Sequence, residues 1–331
     1  MDDILVSLEA GTAYLTLNRP QALNALTSTM IDDLTRWLLD WAGDDRVERV
    51  VLAGRGRGLC AGADVRQLRQ AVIDHRIDPI DFLRREYALD WLVATYPKPF
   101  RAVMSGIVMG GGMGLSVHAS HRVVDATTTL AMPETIIGLW PDVGVSYHLA
   151  RLPGELGTWM ALTGLPISGT RGLEVGLADA MAASPAPSVA VADRPPSDSA
   201  WMVEAFAGDD PLAILERLSA RPELAAGQAL AAIRARSPWS VAVSLAALRR
   251  AAKLTLWEVF AQDMVIGANL VGRADFVEGV RAQLIDKDYR PRWSFARIED
   301  VPVAAVAAVF ADGPNSGSSR GSGIDQLADQ A

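Results

Sequence analysis

Five glycines fall within the nine residues from Gly106 to Gly114, directly after the apolar run Phe100-Arg101-Ala102-Val103-Met104. A strand that runs into such a turn hands the chain to a helix whose backbone can approach its neighbours closely. The same change of direction occurs earlier. Arg49-Val50-Val51-Leu52-Ala53 reads as a buried strand and residues 54–62 as a loop. Asp64 then caps a helix, with Gln67 three residues on as in a capping box. Residues 4–8 and 12–18 read as strands around Gly11, and Thr27 caps a helix to about Trp41. A longer helix is predicted over 80–94, closed by Pro97 and Pro99, and one from about Gly112, with short strands near 121–124 and 129–132. Strand–loop–helix alternation of this kind implies an α/β fold with helical crossovers. No internal repeat is visible in the sequence.

Composition changes near residue 183. The stretch 183–199 is rich in Pro, Ala and Ser, and helical patterns follow at 211–220, 225–236, 241–252 and 255–271. The predicted organisation is a core carrying the active site over 1–185, a linker or irregular loop over 186–200, a helical C-terminal region over 201–311 and a disordered Gly/Ser-rich tail over 312–331.

A net charge of -8 leaves no basic surplus for neutralising phosphates, which argues against a nucleic-acid partner. No apolar run reaches the roughly 20 residues that span a bilayer, so no membrane partner is expected. The first residues, Met1-Asp2-Asp3-Ile4-Leu5-Val6, resemble neither a secretory signal nor an Arg-rich transit peptide. The single cysteine excludes an internal disulfide and fits a reducing compartment. A soluble, cytoplasmic protein is the expectation.

Three short segments carry the chemistry. Cys60-Ala61-Gly62-Ala63-Asp64 is a tight turn entering a helix, and Met109-Gly110-Gly111-Gly112-Met113-Gly114 is a second. Met132-Pro133-Glu134 is the third, followed by Pro141-Asp142. Backbone N–H groups at a helix start are free to donate, and two aimed at one oxygen form an oxyanion hole. The candidates are the N–H groups of Ala63 and Gly111, suited to a thioester carbonyl as it becomes an enolate or a tetrahedral oxyanion. Taken singly, glycine triplets often only permit close packing, and isolated carboxylates are mostly solvated. The apolar neighbours of Glu134 and Asp142 shift that balance, because burial raises a carboxyl's pKa toward a working range.

The combination of Leu59-Cys60-Ala61-Gly62-Ala63-Asp64, Met109-Gly110-Gly111-Gly112 and Pro133-Glu134, in this order and spacing, resembles the crotonase (enoyl-CoA hydratase/isomerase) superfamily. Arg85-Glu86-Tyr87, the stretches 109–118 and 131–144, Gly208-Asp209-Asp210-Pro211, Arg236-Ser237-Pro238, Glu278-Gly279-Val280-Arg281-Ala282, Leu284-Ile285-Asp286-Lys287-Asp288 and Pro291-Arg292-Trp293 are similar to its 3-hydroxyisobutyryl-CoA hydrolase branch. The resemblance covers about residues 1–300. It implies a crotonase-like ββα spiral core with a helical C-terminal region, an acyl-CoA substrate, and valine catabolism as the pathway. It implies no metal or redox cofactor, since the thioester supplies the activated carbonyl. Homo-oligomers, trimers or hexamers, are usual in the superfamily.

By the same resemblance, Glu134 is the catalytic carboxylate, with Asp142 and the N–H groups of Ala63 and Gly111 completing the catalytic set. Glu86, Ala61, Asp64, Gly110 and Trp140 form the substrate-binding set. Hydratases of the superfamily place one Glu where this chain has Gly114, so thioester hydrolysis is expected ahead of hydration or isomerisation. A non-catalytic acyl-CoA-binding protein is the reading from another class. The chain departs from the branch at Ala63, where many hydrolases have Gly, at Arg85, and at Val145-Ser146, which are expected to narrow or re-polarise the acyl pocket. Cys60 reads as a packing thiol, and His118, His121 and His148 as structural, because neither nucleophile nor metal spacing surrounds them.

Overall fold

The computed structural model describes residues 2–74, 79–182 and 200–311. Its strands are β1 (Ile4–Glu9), β2 (Thr12–Leu17), β3 (Arg49–Gly54), β4 (Gly58–Cys60), β5 (Phe100–Met104), β6 (Ile107–Met109), β7 (His121–Val124), β8 (Thr129–Ala131), β9 (Ile167–Ser168) and β10 (Ala180–Met181). One sheet has the order β1-β2-β3-β5-β7-β10 and a second the order β4-β6-β8-β9. In the larger sheet only β1 and β2 pair antiparallel. In the smaller one β4, β6 and β8 run parallel, with β9 antiparallel at the edge.

Three consecutive strand pairs, β3–β4, β5–β6 and β7–β8, each send their first strand to the large sheet and their second to the small one. Helical segments follow each pair, beginning at Val65, Gly111 and Glu134. That is the ββα spiral, and the parallel neighbours require the crossovers that these helices supply. β4 and β6 lie inside stretches predicted as turns. Each is three residues long and too short to show a period.

The C-terminal helices Pro211–Ser219, Leu224–Arg234, Pro238–Ala251 and Leu256–Leu270 match the predicted ones to within a few residues. Their starts are capped as the residue types suggest: Asp210 accepts from the Leu212 N–H, Ser237 from Ser240, and Thr255 forms a reciprocal capping box with Glu258. Helices Ala200–Phe206, Ala274–Val280 and Val303–Val309 add to them. The predicted linker lies outside the described residues apart from Ala200, which is already helical, and the predicted tail lies outside them altogether. One buried apolar cluster extends from Ile4 to Val309, so the helical region shares the core of the spiral. No described helix is long and apolar enough to cross a membrane.

Candidate active site

The small sheet positions the site. Its parallel strands β4, β6 and β8 lie side by side with registers Cys60↔Val108 and Met109↔Ala131, so the segments leaving their C-terminal ends emerge as neighbours. These segments are Ala61–Ala63, Gly110–Gly111 and Pro133–Glu134, brought to one place although more than 70 positions separate the first from the last. Ligands of open parallel sheets occupy this end, where the connections diverge.

A cavity of about 280 Å³ opens here, floored by Ala61, Gly62, Ala63, Gly110, Gly111 and Glu134. Its walls are apolar, with Phe82, Leu83, Ile136, Leu139, Val271 and Leu284 among them, and Glu86 and Asp142 are the other carboxyls that face it. The Ala63 and Gly111 nitrogens converge: each lies 3.4–3.5 Å from where a Cβ would sit on the facing strand's turn, at Gly111 and Gly62 respectively. Neither N–H donates to another described residue, while the flanking Leu26, Asp64 and Met113 N–H groups are all paired.

Each glycine of the second turn has a separate reason. Gly110 sits at φ +52°, ψ −127°, and a Cβ there would lie 3.0 Å from the Glu134 Oε1. A Cβ at Gly111 would meet the Glu86 Oε1 at 2.3 Å, and one at Gly112 would strike the Cys60 carbonyl oxygen at 2.2 Å. The triplet therefore approaches two carboxyls of the cavity at Gly110 and Gly111 and packs against the Cys60 backbone at Gly112.

Five carboxyls are buried around this cavity. Glu134, 7 % exposed, opens the 3₁₀ turn Glu134–Ile137, and its Oε2 has no protein partner. Burial first, and then the charge of Asp142, pushes its carboxyl well above the usual range. Glu86 lies on the helix Pro79–Ala94 and is raised for the same two reasons. Asp142 accepts a 2.8 Å hydrogen bond from the Tyr87 hydroxyl. Burial lifts it to about 6, with the Tyr87 bond opposing that rise. Asp90, one turn beyond Glu86, is fully buried with neither oxygen partnered. Asp263, from the C-terminal region, accepts from the Trp140 indole N–H at 2.9 Å and the Gly144 N–H at 3.0 Å. So many carboxyls in so little solvent cannot all ionise, and they titrate as a coupled set.

Of the predicted residues, Ala61, Ala63, Glu86, Gly110, Gly111, Glu134 and Asp142 line the cavity together. Two predicted substrate contacts do not. Asp64 turns away to an ion pair with Arg19 at 3.2 Å and to the Gln67 N–H, because it is the helix cap. Trp140 is wholly buried behind the loop, its one polar atom used by Asp263. Val145 and Ser146 do not reach the cavity either, so they cannot narrow it. Both are buried, and the Ser146 hydroxyl donates to the Pro141 carbonyl. Arg85 is directed outward to Asp81 and Asp32. Cys60 is buried, with its thiol pushed up to about 12 chiefly by desolvation, which removes it as a nucleophile.

Sequence reasoning missed Asp90, Asp263 and Tyr87. Glu86 and Asp90 are four apart on one helix, a spacing that puts both on one face, and that is a usable signal. Asp263 offers none, since its partners are more than a hundred residues away. Buried His118 and half-buried His148 form a pair, Nδ1 to Nε2 at 3.1 Å. The His118 Nε2 lies 2.8 Å from the Val143 carbonyl oxygen. A carbonyl only accepts, so His118 donates through Nε2 and accepts from His148 through Nδ1. Among the described residues no group of His, Cys, Asp and Glu is arranged to hold a metal ion.

The enoyl-CoA hydratase/isomerase family model matches residues 12–189 and 184–310. The chain belongs to that family. Proteins named mitochondrial 3-hydroxyisobutyryl-CoA hydrolase from Gallus gallus and Homo sapiens are each 34 % identical to it, over 90 % and 91 % of this chain and 86 % of their own length. Among solved structures, a carnitinyl-CoA dehydratase from Mycobacterium thermoresistibile superposes with a TM-score of 0.87 at 38 % identity, covering 95 % of this chain and 98 % of that one. An enoyl-CoA hydratase from Rhodobacter sphaeroides gives 0.84 at 35 % identity, with 94 % and 97 % covered.

Proposed function

We propose that this enzyme hydrolyses the thioester of a short 3-hydroxyacyl-CoA, 3-hydroxyisobutyryl-CoA first among them, to the free acid and coenzyme A. The thioester oxygen sits between the Ala63 and Gly111 N–H groups, which stabilise the charge it gains in the tetrahedral intermediate. Glu134, beside that position, either attacks the carbonyl to give a mixed anhydride that water cleaves, or removes a proton from the attacking water. The sulfur leaves as the thiolate and takes up a proton. Asp142 and Glu86 accept the substrate's 3-hydroxyl, a contact that discriminates against acyl chains without one because the acceptors would otherwise remain buried and unpaired. No cofactor takes part.

One observation carries this reading. Where hydration would need a second carboxylate, the chain has Gly114, and the space for a side chain there is closed by the Asp90 Oδ2 at 2.6 Å and the Val143 Cβ at 2.8 Å. Asp142 lines the cavity, and Gly114 does not. Hydratase or isomerase chemistry is the second reading, favoured by the two solved structures above. The deciding experiment follows coenzyme A release from 3-hydroxyisobutyryl-CoA with a thiol reagent, for wild type and Glu134→Ala. Release that the substitution abolishes supports hydrolysis; a loss of crotonyl-CoA absorbance without release supports hydration. Tight binding with neither change marks a binding protein. A cytoplasmic setting belongs to the same proposal, its support being the buried, unpaired Cys60, and self-assembly into trimers or hexamers rests on the family alone.

A further inference from the structure

The segment that carries Asp142 is held in an unfavourable shape. Val143, a β-branched residue, sits at φ +52° and Gly144 at φ +71°. A left-handed conformation is unfavourable at a β-branched residue and persists only where its surroundings over-determine it. The surroundings here come largely from the C-terminal helix Leu256–Leu270. Phe260, Asp263 and Gly267 lie on one face of that helix, three and four residues apart. Phe260 packs on Gly144 and on the Tyr87 ring, with ring centroids 6.0 Å apart. Gly267 admits Leu83 and the Trp140 ring. Between them Asp263, fully buried, takes the Trp140 indole N–H on Oδ1 and the Gly144 N–H on Oδ2. It therefore grips the segment on both sides of Asp142, two residues before and two after.

We infer that Asp263 is a positioning residue for Asp142: its two oxygens bridge Trp140 and Gly144 and so fix where the Asp142 carboxyl enters the cavity. Asp263 is not among the residues that line the cavity. The inference rests on the reading that Asp142 serves an acyl-CoA hydrolase, yet the geometry can be tested without any turnover.

The test compares wild type with Asp263→Asn, Asp263→Leu, Asp142→Asn and the double variant Asp142→Asn/Asp263→Asn in the full chain. Hydrogen exchange of the Gly144 amide, read against amides of β5, requires no activity. Exchange at Gly144 should quicken by ~10-fold or more in Asp263→Leu while β5 stays protected. Equal acceleration everywhere, or none at Gly144, overturns the inference. For catalysis, kcat on the 3-hydroxyacyl thioester should fall ~10²-fold in Asp263→Asn, the scale of a 1 Å misplacement. Preference over the acyl-CoA lacking the hydroxyl should narrow as it does in Asp142→Asn, and the double variant should be no worse than Asp142→Asn alone. Multiplicative losses, or an Asp263→Asn variant that melts earlier but keeps kcat and its preference, would reduce Asp263 to a stability role. If wild type releases no coenzyme A from either thioester, the functional reading fails, and the exchange result still decides the positioning claim.

Discussion

The two sides of the cavity are built differently. The side formed by Ala63 and Gly111 is local: the two residues follow β4 and β6 and meet because the strands are parallel neighbours and the turns contain glycine. The acid side is assembled from a distance. The Glu134 turn is held where the Ser237 N–H donates to the Thr135 carbonyl oxygen at 3.0 Å, and helix Ala274–Val280 presses on Gly138. The Asp142 loop is gripped by Tyr87, His118 and Asp263. Backbone donors need only the correct turn. Buried carboxyls need neighbours that tolerate them, and such neighbours are recruited from wherever the chain can supply them.

The sharpest test of this contrast is at Glu134. Glu134→Gln keeps the shape and removes the charge, so coenzyme A release should fall by ~10³-fold, within the range for a lost acid–base group, with the melting temperature little changed. Wild-type turnover in that variant would remove Glu134 from the chemistry altogether.

Next come the glycines. Gly111→Ala keeps its backbone N–H but drives a methyl against the flexible end of Glu86, and displacing that carboxyl should cost ~10²-fold in kcat, the scale of a misplaced group, in a folded protein. Gly112→Ala drives its methyl into the Cys60 backbone. That overpacking should appear as ~1–3 kcal/mol of lost stability in denaturant melts. If both variants lose only stability, the second turn is a packing device and the position of Glu86 does not matter to turnover.

A smaller effect separates the acid side further. Burial raises the Asp142 carboxyl to about 6, and the bond from Tyr87 opposes that rise. Activity that needs the Asp142 carboxylate therefore rises as pH climbs through about 6. Tyr87→Phe removes the donor that favours the charged form, so the acid limb of kcat/KM should move to higher pH. A limb that stays put would show that another carboxyl of the coupled set governs it.

The smallest effect concerns Asp90. Its pKa is raised by burial and by the charges of Glu86, Asp142 and Asp263. The folded state thus holds its proton more tightly than the unfolded chain, whose carboxyl titrates near ~4. Its favourable contribution is complete below that value and is lost as pH rises toward the higher folded value. Asp90→Asn cannot ionise, so it should raise the melting temperature by ~2–4 °C at pH 8 and by less at pH 5. An equal gain at both pH values would mean that charge is not the reason.

Much was legible in advance because the signals were local. The turns at Ala61–Ala63 and Gly110–Gly112 announce themselves by composition, the C-terminal helices by their caps, and Glu134 by an apolar setting. Asp64 misled because a helix-capping carboxylate beside a reactive turn looks the same in sequence whether it faces a substrate or Arg19. Trp140 misled for a related reason: it packs and bonds behind the Asp142 loop without facing the cavity.

By itself the sequence determined the alternation of strand and helix, the two glycine-containing turns, the carboxyl that follows β8, and the family to which the chain belongs. These depend on residue types within a few positions of one another, where backbone preference and capping act. Only the tertiary structure decided that three-residue strands form a second sheet, that Asp90 occupies the space beside Gly114, and that Asp263 reaches back to the Asp142 loop. Those outcomes come from packing and charge burial between segments far apart in the chain, and no local pattern records which distant residue a buried carboxyl will meet.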